Sequence, residues 1–139
     1  MRVLEELWNH KGSDCLIEID LVAYLKGYQP LKDLIGTRIH PGAIPEKADM
    51  PAVAYNEVSA PGYHDIDVSF PRFQFSCFHS RYIEAKQVRN EIENALKRFK
   101  GKMGNTRVIQ GVVAGKYETY EKDTKLHNAI IDIKIIYWE

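Results

Sequence analysis

From Arg72 to His79 side chains alternate as in a strand with one buried face: Phe73, Phe75 and Cys77 interleave with Arg72, Gln74 and Ser76. The period then changes. Over residues 81–99, Tyr82, Ala85, Val88, Ile92, Ala95, Leu96 and Phe99 recur at three- and four-residue steps, the spacing of one helical face. A half-buried strand running straight into an amphipathic helix predicts a sheet with that helix packed on it. Ser80 is placed to cap this longest helix. Arg89–Glu93 and Glu93–Lys97 fall at i,i+4 on its solvated side, and Gly101 and Gly104 end it.

The remaining chain extends the same plan. Ser13 or Asp14 caps an earlier helix whose broad apolar face is Leu16, Ile17, Ile19, Leu21, Val22 and Leu25, with Gly27 as its stop. Pro30 opens a short helical turn over 31–35, ended by Gly36. Residues 37–41 are briefly extended, and the proline-bearing segment 41–51 is a stiff loop. Residues 52–58 form a strand, with Val53, Tyr55 and Glu57 opposite Ala54, Asn56 and Val58, and 59–69 reads as a polar connector. Two strands, 106–120 and 127–138, enclose a charged turn, the last setting Ile131, Ile133, Ile135 and Tyr137 against Asp132 and Lys134. The expected class is α+β: a mostly antiparallel sheet of about four to five strands, with one long helix and shorter N-terminal helices packed on it. Residues 1–13, with Val3, Leu4, Leu7 and Trp8, read as an arm or short helix. Residues 14–139 read as one domain.

Charge narrows the function. With 19 basic and 19 acidic side chains the formal net charge is zero, whereas a dedicated duplex-DNA binder carries a basic excess. Neutrality also removes the long-range repulsion that keeps copies apart. No run approaches the ~18 apolar residues of a membrane-spanning helix, and the N-terminus lacks the apolar core of a signal peptide. A chain made in a cytoplasm, without membrane contact, is expected. Cys15 and Cys77 lie far apart, without a CxxC pair, and read as buried free thiols.

Residue types that carry chemistry do not converge. His64-Asp65 with Asp67 comes closest to a metal cluster, but a site needs more protein ligands, so this stretch reads as a solvated or interfacial loop. Ser76, Cys77, His79 and Ser80 suggest a nucleophile and base, yet strand parity places Cys77 in the core, where a thiol is inert. The glycines match no phosphate-binding loop. The basic run 97–102 is the best candidate for nucleic-acid contact, although cations at a helix C-terminus also complement its dipole. No catalytic residue, metal or cofactor is expected.

One ordered pattern remains. A short helix leads into Leu34 to Pro41 (LIGTRIHP), a proline-bearing loop and Met50 to Val58 (MPAVAYNEV). An alternating strand then ends in His79-Ser80 ahead of the amphipathic helix and two C-terminal strands. Over residues 14–138 this resembles the tail completion, or head–tail joining (tail terminator), proteins of long-tailed bacteriophages. There a (V/I)GxRI(Y/H)P, loop, (L/M)PxVxY opening precedes strand, Ser, long helix and C-terminal strands. Residues 1–13 depart from that pattern.

The resemblance implies a structural virion protein, not an enzyme. It implies a ring, a hexamer, at the head-proximal end of the tail, which terminates the tail tube and joins it to the head connector. Its partners would be itself, the tail tube protein and a head connector or stopper protein. Genomic DNA would pass the lumen without sequence-specific binding. Location would be the virion tail or neck, reached from the host cytoplasm. In that setting the loops 41–51, 59–69 and 117–127 are the contact candidates, with Tyr63, His64, Asp65, Asp67, Tyr117, Tyr120 and Lys122 as interface residues. The tyrosines read equally well as side chains at the edge of the core. Alternatives are another neck or stopper subunit, a tail-tube-related subunit, or a small nucleic-acid-binding adaptor using 97–102.

Overall fold

A computed structural model describes residues 13–63 and 65–139, with the side chains of 13–16 excepted. The arm before Ser13, the Ser13 or Asp14 cap, and the Cys15 thiol lie outside what is described. The elements run α1 (Ser13–Gly27), α2 (Gln29–Ile35), β1 (Ile39–Pro41), β2 (Ala52–Ser59), β3 (Gly62–Tyr63), β4 (Val68–Ser69), β5 (Arg72–His79), α3 (Tyr82–Leu96), β6 (Gly101–Met103), β7 (Thr106–Glu121) and β8 (Leu126–Trp138). The class is α+β, as expected, but the sheet is larger. Its eight strands follow the order β1-β2-β5-β8-β4-β3, with β7 pairing β8 along its other side and β6 pairing β7. Every pairing is antiparallel except β1 with β2, which makes the sheet mixed.

The polar connector expected at 59–69 folds as β3 and β4. Gly62↔Ser69 and Tyr63↔Val68 continue the β2–β5 hairpin past a break at Pro61 and Pro71. The Phe70 N–H donates to Pro61 O across that break. Two-residue strands offer no alternation to read, and proline interrupts the ladder on both arms. The strand β6 escaped for the same reason: it is three residues long and follows a helix end.

Burial explains the layers. Ile17, Leu21 and Leu25 of α1, Leu31 and Ile35 of α2, and Ala85, Val88, Ile92 and Leu96 of α3 are buried. They form one core with Val53, Phe73, Phe75, Cys77, Ile131, Ile133 and Ile135 from one face of the sheet. Each fully buried Ile, Leu or Phe contributes about 1.5–3 kcal/mol relative to exposure, against a few tenths for an i,i+4 ion pair. Packing, not surface charge, therefore seats α3.

Three details of α3 differ from expectation. It spans 15 residues, the same as α1, because Lys97 turns extended and Arg98 takes φ of 62° where 81–99 was expected to stay helical. Arg98 and Phe99 instead bond with the Gly111 backbone of β7. Its N-cap is Arg81 with no side-chain cap bond, while the Ser80 hydroxyl lies 3.4 Å from His79 Nδ1. Finally, Arg89 is not on the solvated side: it is buried and pairs with Glu118.

The turn between β6 and β7 is pinned by α1. Asp20 Oδ2 accepts from the Asn105 N–H at 3.1 Å and from Thr106 Oγ1 at 2.6 Å, beside Gly104 at φ of 60°. Asp20→Ala removes both charge-assisted bonds and is expected to cost about 1.5–3 kcal/mol. Thermal unfolding monitored by circular dichroism checks this, and an unchanged midpoint would refute it.

Candidate assembly surfaces

The seven expected interface residues do not form one patch. Strand direction separates them. The loop before β2 and the β7–β8 turn meet at one end of the sheet, around a groove of about 390 Å³ lined by Ile44, Pro45, Met50, Phe78, Thr124 and Leu126. The β3–β4 turn lies at the other end, beside the C-terminal residues of β8.

At the first end, the Tyr117 hydroxyl accepts from Gln74 Nε2 at 2.8 Å, across the sheet face that carries no helix. Tyr120 is 51% exposed and lies against His127 at 4.7 Å between ring centres, and Tyr82 meets the same ring edge-on at 5.5 Å. Lys122 is exposed in the turn. At the second end, Tyr63 is 61% exposed and packs on Phe70 at 5.2 Å. Asp65 and Asp67 are exposed, and the Glu139 N–H donates to Asp67 O. Nearby, the Ser69 hydroxyl bonds the Glu139 carboxylate. His64 lies outside the described residues.

Sequence reading missed a polar seam between α3 and β7. Lys116, Glu118 and Tyr120 alternate onto the helix side of β7. Lys116 Nζ meets Glu93 Oε1 at 3.0 Å, and Arg89 Nη1 meets Glu118 Oε2 at 2.6 Å and Tyr117 O at 3.2 Å. Glu93 also holds Lys97 at 3.8 Å, so that expected pair is present. The hydrogen bond from Arg89, helped by its charge and by Lys86 and Lys116, holds the Glu118 carboxyl below the usual carboxylate range. A signal existed: Arg89 follows Ala85 by four residues and so interrupts an otherwise apolar stripe.

The arrangement around His79 superficially suggests hydrolytic chemistry. His79 Nε2 lies 2.9 Å from Glu84 Oε1, and Ser80 Oγ is near Nδ1. The Arg81 N–H, however, donates to Nδ1 at 3.0 Å. That bond occupies the lone pair a general base would need, and it places the ring proton on Nε2, facing Glu84. Cys77 is fully buried, and burial pushes its thiol well above the ordinary range, away from the nucleophilic thiolate. Among the described residues no three His, Cys, Asp or Glu side chains gather as a metal would require. The run 97–102 is not a continuous helix-end patch, since the helix stops at Leu96 and β6 takes over from Gly101. No helix among the described residues is long and apolar enough to cross a membrane.

The model of the family described as tail completion protein gp17 matches residues 19–138. The chain belongs to the tail completion protein family. As a tail completion protein it is a structural component of the bacteriophage virion, built into the tail. The same fold recurs in a chain from a solved structure titled "Virion of native gene transfer agent (GTA) particle". The match there has a TM-score of 0.69 at 13% identity and covers 86% of this chain and 92% of the other. No curated protein sequence matches this one.

Proposed function

We propose that this protein has no catalytic role, and that six copies close into a ring at the head-proximal end of the tail. The ring terminates the tail tube and offers a docking face to the head connector or stopper. The family match over residues 19–138 is the observation that carries this reading. Physical features support it: a formal net charge of zero lets copies approach, and exposed aromatic side chains stand at both ends of the sheet. Residues 14–139 act as the ring subunit, and residues 1–13 as an arm.

On this reading, Tyr117, Tyr120 and Lys122 belong with the loop before β2 to the surface that meets tube or connector. Tyr63, Asp65 and Asp67 belong to contacts at the other end. DNA crosses the lumen without sequence-specific recognition.

Mass photometry of the purified full chain, followed by negative-stain imaging, tests the ring. A sixfold annular particle is the expected result. A strict monomer at high concentration, even with tail tubes present, would refute it.

A further inference from the structure

At the β3–β4 end of the molecule the lateral strand order is β3-β4-β8-β7-β6, with β3 and β6 as opposite edges. Tyr63, Val68, Trp138, Arg107 and Lys102 are successive register partners along that row. At about 4.8 Å per strand, the two edges stand about 19 Å apart.

The edges differ in charge. Beside β3, Asp65 and Asp67 flank Ile66, which is 51% exposed, next to the 61% exposed Tyr63. Neither carboxylate has a cationic partner among the described residues. On the other edge, Lys102 and Arg107 are direct cross-strand partners, both exposed and without a carboxylate. Like charges opposite each other disfavour a strand pair, so an outside anion would relieve this one. Between them and Trp138 lies a groove of about 500 Å³, with Val108 and Ile109 on its wall. Ile109 is the extra residue at an irregularity between Val108 and Gln110.

We propose that the Asp65-Ile66-Asp67 turn of one copy seats in the Lys102–Arg107–Trp138 groove of the next. Ile66 enters the apolar slot, and the two carboxylates meet the two cations. Within one copy the turn adjoins the Trp138 side of the groove, where the Glu139 N–H meets Asp67 O, but no ion pair joins its carboxylates to Lys102 or Arg107 on the far side. A two-fold contact would have to seat both turns in both grooves at once, each copy's turn in the other's groove. A head-to-tail contact uses one turn and one groove per interface and leaves each copy a groove and a turn for its other neighbour, the kind of contact that closes a ring. This assignment rests on the ring reading and names the two faces that meet.

Charge swaps test it. The double variants Asp65→Lys/Asp67→Lys and Lys102→Glu/Arg107→Glu are each expected to raise the protein concentration needed for ring formation at least about tenfold. Mixed in equal amounts, they are expected to restore rings, because every contact in an alternating ring then pairs opposite charges. That recovery cannot come from misfolded chains. A wild-type chain that stays monomeric would overturn the ring reading and this assignment together. Wild-type rings that both variants form equally well, or a mixture that does not recover, would overturn the assignment alone. Ring loss in the Lys102→Glu/Arg107→Glu variant with no mixed recovery, accompanied by lost retention of duplex DNA in a gel shift, would reassign the groove to nucleic acid.

Discussion

Gly111→Val is expected to abolish the native fold, and Gly111→Ala to cost about 3 kcal/mol. A Cβ built on Gly111 would lie 2.0 Å from Leu96 O and 3.1 Å from Leu96 C, both backbone atoms at the end of α3. Neither can swing aside as a side-chain tip would. Gly111 also exchanges backbone bonds with the segment that follows the helix: the Arg98 N–H donates to Gly111 O at 2.9 Å, and the Gly111 N–H donates to Phe99 O at 3.1 Å. Opening space there would break those bonds and lift Leu96, which is fully buried, from its place in the core. Gly115, four residues along the same strand, has nothing within 4 Å of its built Cβ. Gly115→Ala is therefore expected to change stability by less than about 0.5 kcal/mol. Thermal melts of both alanine variants decide the matter: a fall of about 10 °C at 111 is expected beside almost none at 115. Equal melting temperatures would show that α3 does not close on Gly111.

The second large effect is an asymmetry between Arg89 and Glu118. The Arg89 side chain is 9% exposed and that of Glu118 is 35% exposed. Arg89→Leu extends the apolar stripe of α3 and leaves the Glu118 carboxylate close to water, so a small loss is expected. Glu118→Leu strands a buried guanidinium with only the Tyr117 carbonyl as partner, and should lower the melting temperature far more. The reverse ranking would mean that Arg89 reaches solvent.

Acid should expose the same pair. Its bond to Arg89 depresses the Glu118 carboxyl in the folded state relative to the unfolded one. The stabilisation is therefore complete above the unfolded-state value and is lost as pH falls through the folded-state value. Glu84, depressed chiefly by its hydrogen bond from Arg81, adds a surface contribution of the same sign. Glu118→Gln should melt below wild type at neutral pH, with the gap closing below the carboxylate range. A gap that stays constant with pH would show that the charge of Glu118 is not what matters.

Strand β5 runs from Arg72 to His79, as its alternation predicts, because one buried face forces a period of two. Most core residues of α1 and α3 were legible for the corresponding helical reason, but Ile19 and Tyr82, expected on those apolar faces, are 44% and 42% exposed. Interface residues left a fainter trace. Tyr63 and Tyr120 are exposed, but an exposed tyrosine carries no periodic signal, and the surface it shares depends on which loops the strands bring together. Two of the loops grouped by composition share one end of the sheet, and the third lies at the other.

Local patterns thus settled the long elements, most of their inward faces and, through the ordered LIGTRIHP and MPAVAY segments, the family. Those properties depend on neighbours within a few residues, which the chain order supplies directly. The extra strands β3, β4 and β6, the burial of Arg89 against Glu118, and the facing of Lys102 with Arg107 depend on register between distant segments. Long-range pairing is set by how the whole core closes, so it emerged only from the packed fold.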